Sequence, residues 1–137
     1  MKPIFKNFIA VIAGLITGSI VNMGILEIGH LVIVPPEGFD NSTMDSLAAT
    51  IHFLGPINYI SVFLAHGFGT LAGVFIACKI AANRHPIFAS VIGGWFLLGG
   101  IWMVFIIPSP TWFTIIDLIG AYIPMAWIGY HLASNKK

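Results

Sequence analysis

The chain has 137 residues, of which 58% are apolar and only 8% are Asp, Glu, Lys or Arg, against roughly 45–50% and 25% in ordinary globular proteins. A soluble domain of this size is mostly surface and cannot cover itself with six basic and five acidic side chains, so a soluble enzyme, a nucleic-acid binder and a disordered chain are excluded. The net charge of +1 supplies no field to capture polyanions, and the single Cys78 excludes a disulfide framework, a CxxC redox pair and a four-thiolate metal site.

What remains is an all-α integral membrane protein, one domain over residues 1–137, whose outside faces lipid. Crossing the hydrocarbon takes about 20 mostly apolar residues, and four stretches qualify. The first runs over about 8–34 and is closed by Pro35-Pro36, which cannot continue a helix. Lys2 and Lys6 mimic the start of a signal peptide, but the apolar run is too long and no small-x-small cleavage site follows, so it is read as a span. In the outer loop, 35–56, Asn41-Ser42-Thr43 offers an N-cap, and Leu47, Ala48, Ile51 and Leu54 recur at helical spacing. This predicts a short amphipathic helix over 43–54 at the outer interface, or else the first turns of a kinked second span. Gly55-Pro56 breaks the chain, and the second span covers about 57–82. Pro86 opens the third, 86–107; Pro108-Ser109-Pro110 turns the corner into the fourth, 111–133.

Lys2, Lys6, Lys79, Arg84, Lys136 and Lys137 all fall on one side of this topology, and Glu37, Asp40 and Asp45 fall on the other. The positive-inside rule then places both termini in the cytoplasm. The ends of spans two and four, Ile76–Arg84 and Ile128–Lys136, share Ile, Ala and Asn positions, and Val32-Ile33-Val34-Pro35 matches Phe105-Ile106-Ile107-Pro108. A tandem helical hairpin with an insertion in its first outer loop fits this pattern. Small residues four apart mark packing stripes: Ala10, Gly14 and Gly18 on span one, and Ala65, Gly69, Gly73, Ala77 and Ala81 on span two. Their partner is either another span or a second subunit of a homo-oligomer. Trp95, Trp102, Trp112 and Trp127 are expected at lipid or at the interface.

Polar side chains inside spans are costly and therefore candidates for function. At about 1.5 Å per residue, Asn22 and His66 lie about 3 Å to the outer side of the bilayer centre, Asp117 about 7 Å, Glu27 about 10 Å and His30 about 15 Å. Their gathering in the outer half predicts a polar pocket, with His52 of the loop helix in a lid. Glu27 and His30, three apart, share a helix face, and no Lys or Arg on that side neutralises Glu27. Glu27, His66 and Asp117 are candidate ligands for a divalent metal. A di-metal carboxylate site would need more Glu than the one in the spans. Bis-histidine haem is disfavoured, since His66 differs in depth from His30 by about 12 Å and from His131 by about 16 Å. No nucleophile elbow, HExxH or paired catalytic carboxylates appear, which speaks against an enzyme.

Leu26-Glu27-Ile28-Gly29-His30, Pro35-Pro36-Glu37-Gly38-Phe39-Asp40 and Ile107-Pro108-Ser109-Pro110-Thr111-Trp112-Phe113 together resemble the pattern of a group of short bacterial four-span membrane proteins with no established activity. That resemblance implies the fold and transfers no residue roles. The favoured expectation is a transport or ion- or proton-binding protein with Glu27 as the key group and Asn22, His30, His66 and Asp117 assisting. Second comes a non-catalytic accessory or assembly subunit of a larger membrane complex, its small-residue stripes serving the partner; third, a membrane metalloprotein.

Overall fold

The computed structural model describes residues 1–83 and 85–135. It comprises α1 (Pro3–Val32), α2 (Met44–Thr50) running into a 3₁₀ turn (Ile51–Phe53), α3 (Asn58–Ile80), α4 (His85–Ile106), α5 (Thr111–Asp117), a π-helical turn (Leu118–Tyr122) and α6 (Ile123–Ser134). Among the described residues there is no strand. α1, α3, α4 and the continuous α5–π–α6 unit are each long and apolar enough to cross a membrane. Of the six basic residues, Arg84, Lys136 and Lys137 lie outside the described residues.

Helix α1 begins at Pro3, five residues before the start expected from hydropathy, because Pro is tolerated in the first turn where its missing N–H has no partner anyway. Its 30 residues span about 45 Å, half again the ~30 Å hydrocarbon thickness, so it tilts or projects beyond the apolar layer. α1 lies antiparallel against α3, and the small-residue stripes are the contact. A Cβ placed on Gly14 would stand 2.8 Å from the Gly73 carbonyl oxygen, and one on Gly73 2.8 Å from that of Gly14. Gly18 and Gly69 repeat the relation one turn on, at 2.8 and 2.9 Å. Two helices in lipid gain by close backbone approach rather than by leaving water, and these four positions have no room for a side chain. The partner left open by the sequence is therefore within the chain.

Helix α3 is the axis of the bundle, with ten buried residues from Tyr59 to Cys78. The apolar core fills the end where the chain begins: Ala10, Val74, Ala77, Cys78, Phe88 and Ile92 pack there, and Asn7 Oδ1 accepts from the Ala82 N–H at 2.9 Å. At this end also stand Lys2, Lys6 and Lys79. α6 closes on α3 and α4 through Gly129, against Leu71 and Val74, and through Ala126, against Gly93. The four Trp side chains are all largely exposed on the lipid-facing surface, as expected of anchors.

The opposite end carries the loop. Thr43 caps α2 in a reciprocal box: its hydroxyl accepts from the Ser46 N–H, and Ser46 Oγ accepts from the Thr43 N–H. Asp40 N–H donates to Thr50 Oγ1 at 2.9 Å, tying the strand-like approach to the end of α2. Leu54 returns to extended backbone, and Gly55 N–H donates to Asn58 Oδ1. α2 is thus a separate element and not the kinked beginning of α3, as the Gly55-Pro56 break requires. Gly38, with φ +90°, makes the turn that swings Phe39 back towards α1.

Candidate functional site

Beneath that loop lies a cavity of about 200 Å³. Each wall is one helical stripe. α1 supplies Leu26 and His30, four apart; α3 supplies Tyr59, Val62 and His66; α4 supplies Gly100, Met103 and Val104, with Ile107 just past its end; α5 supplies Phe113, Thr114 and Asp117. The spacings of three, four and seven are those of a single helix face. The loop forms the lid with Phe39, Asn41, Leu47, Ile51 and Leu54. Of the apolar positions predicted to form one face of the loop helix, Leu47, Ile51 and Leu54 cover the cavity and Ala48 does not line it. His52 lies on the exposed face of the lid instead.

The chemical centre is a pair. His66 Nδ1 stands 2.9 Å from Asp117 Oδ1 and 2.8 Å from Oδ2. Asp117 is 5% exposed, and the His66 side chain keeps 23%. An ionised carboxylate only accepts, so against it Nδ1–H donates, and Nε2 is the ring nitrogen that Asp117 does not engage. The backbone carbonyl of His66 accepts from the buried Thr70 hydroxyl at 2.8 Å, which ties down the next turn of α3. The Tyr122 ring stacks on the imidazole at 5.4 Å and 26°, and its hydroxyl end is seated where Gly100 leaves space.

The π turn makes this arrangement. In an α-helix, residues five apart point about 140° away from each other, so Asp117 and Tyr122 could not both reach His66. An i→i+5 turn brings them nearly above one another. Its cause is local: Pro124 has no N–H for the Gly120 carbonyl, and its ring crowds that carbonyl, so the helix widens just before it. Tyr122 and Tyr59 were not identified from the sequence; Pro124 inside a span was the available signal for the first.

Tyr59 lies two turns before His66 on the same face. It is 3% exposed, and its ring packs on Phe113 at 4.5 Å and on Trp112 at 5.7 Å. Among the described residues its hydroxyl is the one buried side-chain oxygen or nitrogen without a hydrogen-bond partner. His30, nearer the lid, meets the edge of Phe39 at 6.1 Å.

Of the residues singled out from the sequence, His30, His66 and Asp117 share the cavity; Glu27 and Asn22 do not line it. Leu26 and His30 define the inward face of α1, and Glu27, one residue round from Leu26, is exposed. Asn22 instead packs on α3, where its Cβ would lie 3.0 Å from a Cβ on Gly69. Among the described residues no three His, Cys, Asp or Glu side chains gather into a metal-binding group, so the trio Glu27, His66 and Asp117 is not assembled. Outside the spans, Asp40 has its carboxyl held below the usual range by the Ser42 hydroxyl and N–H, the latter donating to Oδ1 at 2.8 Å.

Fold and site define a helical multi-span protein with a covered cavity and a buried imidazole–carboxylate pair in its wall. Compared with family models, curated proteins and solved structures, the chain matches none.

Proposed function

We propose that this protein binds a small ligand, together with a proton, in the lid-side half of its membrane bundle, as a transport or carrier protein does. The observation that carries the reading is the His66–Asp117 pair set in the wall of a cavity bounded by four helices and a capped loop. Burying a lone carboxylate in such surroundings is prohibitive, whereas paired with imidazole it holds the Nδ1 edge of the ring and leaves Nε2 for the cavity. The role expected of Glu27 passes to Asp117. In this reading the lid faces outward and the termini face the cytoplasm of a bacterial inner membrane, supported by Lys2, Lys6 and Lys79 at the end opposite the lid's Glu37, Asp40 and Asp45. A tandem hairpin origin fits the paired antiparallel spans, and a homo-oligomer remains part of the proposal through the long exposed faces of α1 and α4.

The test is native mass spectrometry of the protein released from its own membranes into mild detergent. Wild type carries a bound small molecule, and His66→Gln and Asp117→Asn lose it. A wild type without bound mass, or variants that retain it, overturns the reading.

A further inference from the structure

We infer that the cavity takes an uncharged, single-ring organic molecule bearing a carbonyl or similar acceptor oxygen, held by the Tyr59 hydroxyl and the Nε2 edge of His66. The inference rests on the proposed reading of the site and adds the ligand's size, charge and hydrogen-bonding sense.

Size comes first. A cavity of about 150 Å³ holds benzene; the 200 Å³ here accommodates a ring with a small substituent. A single water, at about 30 Å³, fills little of it. Charge comes second. Among the described residues no Lys or Arg lines the cavity, its imidazoles are His30 and His66, and the one carboxylate in its wall directs both oxygens at His66. A carboxylate or phosphate ligand would bring a second negative charge beside Asp117 with no permanent cation in the wall to meet it. Shape comes third: the rings of Phe39, Tyr59 and Phe113 stand in the wall, and aromatic surfaces favour an aromatic guest.

Hydrogen bonding decides the rest. Tyr59 is the independent pointer, since a buried hydroxyl is almost always partnered, and this one, on a residue of the cavity wall, has no protein partner. Its O–H needs an acceptor. His66, with Nδ1–H given to Asp117, presents Nε2 as a donor when protonated, which wants an acceptor as well. A ring carbonyl serves either group, and its binding favours the protonated imidazole, which links ligand and proton in one site.

The experiment measures binding of acetophenone, toluene and benzoate to the full chain in lipid nanodiscs, with protein-free nanodiscs as the blank. These probes share a ring and differ in oxygen and charge. Acetophenone is expected to bind about five- to tenfold more tightly than toluene, the worth of one added hydrogen bond, and benzoate more weakly than either. Tyr59→Phe removes only the oxygen and narrows the gap between acetophenone and toluene, leaving toluene unchanged. Val62→Phe fills the cavity and weakens both neutral probes. Equal binding of acetophenone and toluene to wild type, preference for benzoate, or insensitivity to Val62→Phe overturns the inference. Failure here alongside a bound mass that depends on His66 and Asp117 condemns the ligand class alone; loss of that mass dependence condemns the site.

Discussion

The crossing of α1 and α3 sets the cavity's width, and Gly73→Ala tests it most directly. The new methyl would stand 2.8 Å from the Gly14 carbonyl oxygen, where ordinary contact begins at 3.4 Å, so the backbones must part by about 0.6 Å (3.4 − 2.8). Phe96, at 3.0 Å, blocks a sideways escape. A gap of 0.5–1 Å forfeits about a quarter to a half of each dispersion contact along the seam, and overpacking of this kind costs about 1–3 kcal/mol. Helix propensity returns up to about 1 kcal/mol. The net expectation is a loss of about 1–2 kcal/mol, read by reversible unfolding in mixed detergent micelles. Gly14→Ala should behave alike, because the two glycines face each other's carbonyl. The double variant should cost less than the sum, since the first methyl has already opened the seam for the second. Gly24→Ala is the control, with nothing within 4 Å of its Cβ. Neutral Gly73→Ala, or strictly additive single effects, would show that the helices do not meet in this register.

Four further outcomes follow. Asp117→Asn keeps an acceptor for His66 Nδ1–H and should cost about 1 kcal/mol, whereas Asp117→Ala strands the imidazole and should cost about 2–3 kcal/mol; the full 3–5 kcal/mol of a broken buried pair is reduced because the His66 side chain is 23% exposed. The same micelle titration reads both. Pro124→Ala restores the missing N–H and lets the π turn rewind, so helix stability should rise while Tyr122 leaves the imidazole; the check is loss of the ring-current shift on the His66 proton signals. The carboxyl of Asp40, held below 3.8 by Ser42, stabilises the loop fully above that value and loses its effect progressively as pH falls from there through the lower folded value. Amide exchange in the lid, corrected for its intrinsic rate, should therefore quicken only below the ordinary Asp value, and Asp40→Asn should abolish that pH dependence. Glu27→Gln should leave the bound mass intact, since Glu27 lies outside the cavity.

Hydropathy and punctuation placed the four spans because a membrane crossing is a requirement of length and polarity that each segment meets alone. Pro35-Pro36, Gly55-Pro56 and Pro108-Ser109-Pro110 bound the helices for equally local reasons, and Thr43 caps α2 for another. The relative level of residues on α1 and α3 was legible too. Counting rises from each midpoint put Asn22 level with His66, and the α1–α3 crossing brings Asn22 to Gly69, one turn from His66. Rotation about each helix axis was not. Glu27 and His30 are only 60° apart by helical geometry, yet one is exposed and the other lines the cavity. That difference is decided by which stripe of α1 meets α3, and the Gly14–Gly18 ladder carries the information, since Asn22, Leu26 and His30 continue it at steps of four. Tyr59 escaped notice because an aromatic near a helix start reads as an interfacial anchor, and its missing partner exists only in three dimensions.

The two intramembrane acids also differ in what their positions demand. Glu27 stands five residues before the end of a helix that is longer than the hydrocarbon is thick, so it lies about 7.5 Å from that end and its exposed carboxylate can reach headgroups or water without a partner. Asp117 has no such route: it ends α5 in the interior, seven residues below the Pro110 corner, and its burial is sustainable only through His66. A π turn, itself a poorer helix geometry, is retained next to that pair. Three features each unfavourable alone, a buried acid, a widened helix turn and an unpaired Tyr59 hydroxyl, converge on one covered cavity. A scaffold selected for packing would have been better served by Leu, Ala and Phe at 117, 124 and 59, and the convergence is what separates this end of the bundle from the tightly packed other one.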